Sequence, residues 1–450
     1  YMFRCQEYQG CIAVASTGNY RGIMRTPAFG NIEGVADMKI SFDFCFCSGI
    51  NDDLLCNIIG GGMIKGVTID GAPYNLDSNN SGYEAASAIL RVWHNSVSIP
   101  SSIASAKSWH RIELDIERAG GGTSLYLAGN KTSSMNHGFY VDNIEVRKVA
   151  DKTKKASGTV RLLYWNIQNG MWSDQANNYD NFVKWVKSYD PDICVWCEAE
   201  TIYKDNTSSS TSSRFLPAGW STLGARYGHN YAAVGGDRDN YPQAITSKYP
   251  IKTVLRITDS NVAGKPIAHG AAIQEVTAGG RTLSFVTCHM WPQAYAYGVS
   301  GDAAREASKN EHGGDYYREF EMDYIVKKTI NNPDYSGREW ILLGDLNSRS
   351  RLDNWYYKYA DNSTLLLTQD VILKKTDLKD IIHETYPDYF ISSTYGSSRI
   401  DYVYASPSLM DKIDGAFIVI DSWTSPKVSN YVSSFRDPSD HRPIIVDFRL

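Results

Sequence analysis

In the second half of this 450-residue chain, one apolar stretch after another ends in a side chain able to hold a metal ion or a phosphate. Tyr164 and Trp165 lead into Asn166, Trp196 and Cys197 into Glu198, Thr287 and Cys288 into His289, and Leu343 and Gly344 into Asp345 and then Asn347. Arg399 and Ile400 lead to Asp401, and Ser439, Asp440, His441, Arg442 and Pro443 stand just before the last apolar run. Singly, each has an ordinary explanation: a strand-end Asn caps a turn, a carboxylate is solvated, a lone His satisfies a structural hydrogen bond. As a set delivered to one rim they need a reason, because crowded carboxylates repel and shift each other's pKa, and a shared cation is the natural neutraliser. Oxygen donors without thiolate favour Mg²⁺, Mn²⁺ or Ca²⁺ over structural zinc. In an extended chain Asp345 and Asn347 face the same way while Leu346 points to the core, and the neighbours Asp440 and His441 serve adjacent subsites.

Positioning such groups requires a frame of strands and helices. The pattern predicts strands at 160–167, 193–197, 340–343, 400–404 and 444–448. A helix is expected from about Tyr179, with Phe182, Trp185, Val186 and Tyr189 on one face and Pro191 as its stop, and another over 315–330. Residues 160–450 therefore read as an α/β or α+β domain. Residues 1–150 read differently, as period-two strands (38–44, 111–117, 124–127, 139–146) separated by Gly, Ser and Asn turns, and a β-sandwich is the economical fold. Residues 151–159 are polar and aperiodic, a linker.

Composition narrows the function. Hydrophobic residues at 42% exclude wholesale disorder, and no apolar run is long enough to span a bilayer as a helix. Of the 45 basic and 50 acidic residues, 33 and 36 lie in 151–450, so no general electrostatic grip on a polyanion follows. Cys194 and Cys197 have zinc-like spacing but no second pair, and a structural role is expected. The Gly runs at 60–62 and 120–122 read as turns, since no Lys-Ser/Thr follows them. No Gly-x-Ser-x-Gly supports a serine hydrolase. A start at Tyr1, five cysteines in the first 56 residues and richness in Tyr, Asn, Ser and Gly point to an exported bacterial protein, whether secreted, periplasmic or at the cell surface.

The ordered words Tyr164-Trp165-Asn166-Ile167, Pro191-Asp192-Ile193 through Glu198, Thr287-Cys288-His289, Gly344-Asp345-Leu346-Asn347, Arg399-Ile400-Asp401-Tyr402 and Ser439-Asp440-His441-Arg442-Pro443 resemble those of the endonuclease/exonuclease/phosphatase superfamily, the DNase-I-like metal-dependent phosphoesterases. Residues 241–250 resemble that family's mid-domain strand and turn. The resemblance implies a four-layer α/β sandwich, two packed β-sheets flanked by helices, over 160–450. It also implies Glu198 as principal metal ligand with Asn166 and Asp440 beside it, Mg²⁺ or Mn²⁺ (or Ca²⁺) as the ion, and Asp345 as the group that activates water. Asn347 would hold that water or a phosphate oxygen. His441, oriented by Asp401, would contact the scissile phosphate, and His289 would be a second phosphate contact or proton donor. Gln168 departs from the Asp that some members carry there. Glu200 is expected to face solvent rather than to add a ligand.

A phosphoester substrate follows, whether small molecule, lipid headgroup or nucleic acid. The aromatic runs 291–297 and 354–359 follow catalytic strands and are candidates to wall the cleft, and Arg226, Arg305 and Arg318 are candidate clamps on the surface. Residues 139–146 resemble the last strand of jelly-roll, carbohydrate-binding-like modules, which implies a glycan partner for the first domain; Trp93, Trp109 and Tyr126 are nevertheless expected in its core. Two other readings stand beside the phosphoesterase: a nuclease on DNA or RNA, and a non-catalytic glycan-binding protein with a fossil site.

Overall fold

The computed structural model describes residues 5–8, 11–16, 23–46, 53–59, 61–74, 96–100, 108–129, 137–175, 177–200, 202–203, 214–215, 219–236, 241–258, 267–387, 390–394, 398–421, 423–424 and 438–450. Trp93 lies outside these residues. The chain divides into two compact units, one of residues 1–153 with 420–428, the other of 154–419 with 429–450.

The first unit is built from two antiparallel sheets. In the larger, Val35–Phe46 lies between His110–Gly120 and His137–Asp151; in the smaller, Ser124–Gly129 lies between Ile23–Arg25 and Asp53–Ile59. Alternation sends Met38, Ile40, Phe42 and Phe44 inward, where they share one core with Leu54, Cys56, Ile58, Leu125 and Leu127 of the other sheet. That is a β-sandwich. Tyr126 is buried, whereas Trp109, expected in the core, is 50% exposed because it precedes its strand instead of sitting on the inward face. The last strand continues to Asp151, Lys152 N–H donates to Val35 O, and Thr153 Oγ1 accepts from Val35 N–H at 2.9 Å. The first residues of the segment 151–159 are thus fastened to the sandwich.

The second unit holds two six-stranded mixed sheets. At the centre of one, Val160–Asn166 and Ile193–Cys197 run parallel with Asn166 opposite Cys197. At the centre of the other, Arg281–His289 and Glu339–Asp345 run parallel with His289 opposite Asp345. Parallel strands bring their carboxyl ends to one rim. The antiparallel strand Asp401–Ala405 begins there too, Asp401 opposite Asp345. Ile444–Phe448, antiparallel to Val160–Asn166, starts beside Tyr164, which puts the preceding Asp440 and His441 at that rim.

Both faces of each sheet are covered, which explains the continuous apolar runs. Trp165 packs on Phe182 and Trp185 of the helix Asp180–Tyr189, while its neighbour Tyr164 turns the other way and donates its hydroxyl to Asp401 of the second sheet at 2.9 Å. Met322, Ile325 and Val326 of the helix Gly313–Lys328 and Val371 and Ile372 of Leu367–Lys375 cover the second sheet's Val286, Leu342, Tyr402 and Tyr404. These layers fit the DNase-I-like arrangement. Among the described residues no helix is long and apolar enough to cross a membrane.

Candidate active site

The strand Val160–Asn166 ends where the chain turns left-handed, with φ of 47°, 50°, 64° and 56° at Gln168, Asn169, Gly170 and Met171. Such a run costs about 1–2 kcal/mol per non-glycine residue, and it aims backbone N–H groups at acceptors of the rim. Gln168 N–H donates to Asn166 Oδ1 at 3.1 Å and Asn169 N–H to Glu198 Oε2 at 2.8 Å.

Asn166 joins the two carboxylates, its Nδ2 donating to Glu198 Oε1 at 3.3 Å and to Asp345 Oδ2 at 3.1 Å. Gln168 Oε1 accepts from Asp440 N–H at 3.1 Å, so this glutamine anchors the backbone of the Asp440-His441 pair. The extended geometry expected at Asp345 gives way to a turn: Asn347 has φ 46° and its N–H donates back to Asp345 Oδ1 at 3.0 Å, while Leu346 does enter the core. The Asn347 side chain donates Nδ2 to Met290 O at 3.0 Å, which ties this turn to the segment after His289.

Asp401 is fully committed. Its Oδ1 accepts from Tyr164, and its Oδ2 from Ser393 at 2.7 Å and from His441 Nδ1 at 2.7 Å. Arg399, buried between Asp353 and Asp380, locks the approach to this strand. His441 Nε2 then stands 3.7 Å from Asp345 Oδ2 and 3.9 Å from Asp440 Oδ1. His289 Nε2 is likewise 3.7 Å from Asp345 Oδ2, its ring stacked on His269 at 4.2 Å. The fold therefore brings all eight sequence-predicted residues into one linked cluster.

The two imidazoles are driven apart electrostatically. Burial disfavours a charged His441, but Asp401, Asp345 and Asp440 outweigh it and raise its pKa well above the usual 6.5. Burial lowers His289 well below that value, and the charges of His269 and His441 push the same way. The surroundings thus favour the charged form of the His441 ring and the neutral form of the His289 ring. Burial raises Asp345 to about 7, with Asp401 and Glu198 adding to the rise and His441 opposing it. Glu198 is raised by burial and then by Asp440.

Asp345, Asp401 and His441 lie close enough to be taken for a metal triad. Asp401 already serves three donors and His441 turns Nδ1 to it, while Glu198, Asp440 and Asn166 bring further oxygen atoms to the same rim. Four carboxylates against one imidazolium leave an excess of negative charge that a hard divalent cation fits.

Several expectations change. Glu200 is buried at 0% exposure, not solvent-facing; its neighbour Ala199 is held by Trp220, whose Nε1–H donates to Ala199 O. Arg318 is buried and not a surface residue: at 5% exposure it pairs with Asp315 and donates to Trp291 O and Gln293 O, bracing the aromatic run 291–297. Arg305 sits 4.9 Å over the Tyr295 ring of that run, and Arg226 pairs with Asp180.

Sequence reasoning missed Glu321, fully buried, which accepts from Ala268 N–H at 2.6 Å and Trp291 N–H at 3.0 Å and so ties down the segment after His289. Its place in a helix carries no signal beyond a charge on an apolar face. Burial raises its pKa from 4.5 to about 7. The folded chain holds this proton longer than the unfolded one, so the stability it contributes is intact below about pH 4.5 and lost as pH rises through about 7. Glu321→Gln is expected to flatten that decline, measured by denaturant unfolding across the interval; an unchanged slope would place the pH dependence elsewhere.

A carboxylate-rich rim over two packed mixed sheets is the frame of a metal-dependent phosphoesterase. Residues 163–441 match the model of the Endonuclease/Exonuclease/phosphatase family, and the chain belongs to that family. It is accordingly a metal-dependent phosphoric ester hydrolase. Similar solved structures include an AP endonuclease from Archaeoglobus fulgidus, at 14% identity and TM-score 0.42, covering 65% of this chain and 100% of that one. The human Nocturnin catalytic domain with bound sulfate is similar at 14% and 0.40, covering 64% and 93%. The Neisseria 3′ phosphatase NExo bound to product DNA hairpin is similar at 14% and 0.38, covering 64% and 99%. Among curated proteins the comparison finds no match.

Proposed function

We propose that this chain is an exported bacterial enzyme that uses Mg²⁺ to hydrolyse a phosphomonoester or phosphodiester by in-line attack of a water positioned by Asp345. The observation that carries the reading is the convergence of two buried imidazoles on one carboxylate, each Nε2 3.7 Å from Asp345 Oδ2. Glu198, with Asn166 and Asp440, would hold the ion, which when bound supplies a Lewis acid to the non-bridging oxygens. Asp345, its pKa near neutrality, accepts the proton of the attacking water. Asn347 holds that water or a phosphate oxygen. His441 is kept charged by Asp401 and stabilises the negative charge that grows on the phosphate. His289 serves the leaving-group side.

A panel of plasmid DNA, RNA, a sphingomyelin-type lipid and phosphorylated sugars, run with Mg²⁺ and with chelator, tests this. Chelator-sensitive turnover of at least one ester supports it, and no hydrolysis of any of them under Mg²⁺ or Mn²⁺ would refute it. The near-balance of charge in 151–450 favours a non-nucleic substrate; turnover of DNA or RNA alone would make the enzyme a nuclease.

The jelly-roll and glycan reading of the sandwich is supported by the exposed Trp109, 6.4 Å from the Tyr140 ring. Trp109→Ala is expected to reduce retention on insoluble polysaccharide without changing turnover of a soluble ester; undiminished retention would remove Trp109 from that role.

A further inference from the structure

Beside Asn347 the second unit has a cleft of about 450 Å³ whose wall carries Lys309, Arg318 and Arg349 against a single carboxylate, Asp315. His312 adds a fourth nitrogen base at its mouth. Asp315 is already divided among Arg318, Thr364 Oγ1 at 2.6 Å and His312 at 3.7 Å, so it cannot also neutralise Arg349. Arg349 has no carboxylate of its own among the described residues; its guanidinium donates to Ser398 Oγ at 3.0 Å. The Nε of Arg318 and the Nε of Arg349 are both enclosed with no acceptor. Leaving charged donors buried and unanswered is costly, and an anion is what answers them. Consistently, Arg318 is held below the usual guanidinium value, first by burial, with Asp315 and Glu321 opposing and Arg349 adding to the fall.

The cleft is continuous with the cluster already described. Asn347 lines it, Arg349 lies two residues further along the same turn, Ile400 precedes Asp401, and Thr394 bridges to His441. We infer that this cleft binds a second phosphate of the substrate, so that the substrate class is a small ester carrying two phosphates, one cleaved at the Asp345 rim and the other held by Arg349, Arg318 and Lys309. Guanidinium groups suit a phosphate by bidentate geometry, and Lys309, half exposed and paired with Glu306 at 3.2 Å, adds a point charge at the entrance that exchange of partner can turn to the ligand. A small molecule is favoured over a nucleic-acid strand because residues 151–450 carry a net negative charge, 33 basic against 36 acidic. The inference rests on the proposed use of Asp345 and His441 at the scissile phosphate.

Isothermal titration of the intact chain in Mg²⁺ with hexanediol bisphosphate and with hexyl phosphate tests it without requiring turnover. The bisphosphate is expected to bind at least about tenfold more tightly, and both Arg349→Ala and the surface variant Lys309→Ala are expected to diminish that preference while leaving hexyl phosphate unaffected. Equal affinity of the two ligands for the wild type, or a preference that survives both substitutions, would overturn it. A short oligonucleotide bound more tightly than the bisphosphate, with the same dependence on Arg349, would overturn the small-molecule assignment. Absence of all hydrolysis would sink the proposed reaction while leaving this binding preference standing, so the two failures are distinguishable.

Discussion

Asp345→Ala should lower turnover at least about a thousandfold, the order expected when the group that positions and deprotonates a nucleophile is removed. Four contacts meet on this carboxylate: Asn347 N–H on Oδ1, and Asn166 Nδ2 with the two imidazoles on Oδ2. The same variant should unfold no more easily than the wild type in metal-free buffer. Burial pushes Asp345 up to about 7, so near neutrality the fold bears the cost of a carboxylate it disfavours, and alanine removes it. Loss of turnover with undiminished stability marks a functional role. Near-normal rates, or lost rates accompanied by lost structure, would remove Asp345 from the reaction.

Asp401→Asn should reduce turnover by roughly a hundredfold to ten-thousandfold and change its pH profile. Asp401 is what keeps His441 protonated against its burial. With that charge gone, His441 gives up its proton at lower pH, and the alkaline limb of activity, which needs the cationic ring, should shift downward by about one unit or more. Asparagine preserves the shape of Asp401 but turns one acceptor oxygen into an NH2 donor, so only the partners on the remaining oxygen keep their hydrogen bonds. A uniform drop with no movement of the alkaline limb would show that Asp401 only braces the rim.

Much of this site is legible in the sequence, because the site strands are continuous apolar runs and a polar residue stands out at their ends. Asn166, Glu198, His289, Asp345 and Asp401 are all found that way, and the antiparallel start of Ile444–Phe448 accounts for Asp440 and His441. What the sequence conceals is backbone that leaves the regular regions of φ and ψ. The left-handed run at 168–171, Glu198 at φ 53° and Asn347 at φ 46° have no periodic signature, yet they set which way the ligands turn. Buried charges are concealed for a different reason. Glu321 and Arg318 look like solvated residues until Ala268 and Trp291 are brought against the one, and Trp291 and Gln293 against the other. The sandwich strands were readable from alternation, whereas the exposure of Trp109 depends on where its strand begins, one residue later.

The central claim is that side chains remote in sequence gather about one divalent ion. Calorimetric titration of Mn²⁺ into the wild type, Glu198→Gln and Asp440→Asn tests it most directly. The account predicts a saturable site in the wild type that weakens by at least about tenfold in each variant, with the fold retained. Mn²⁺ affinity unchanged in both variants would contradict it.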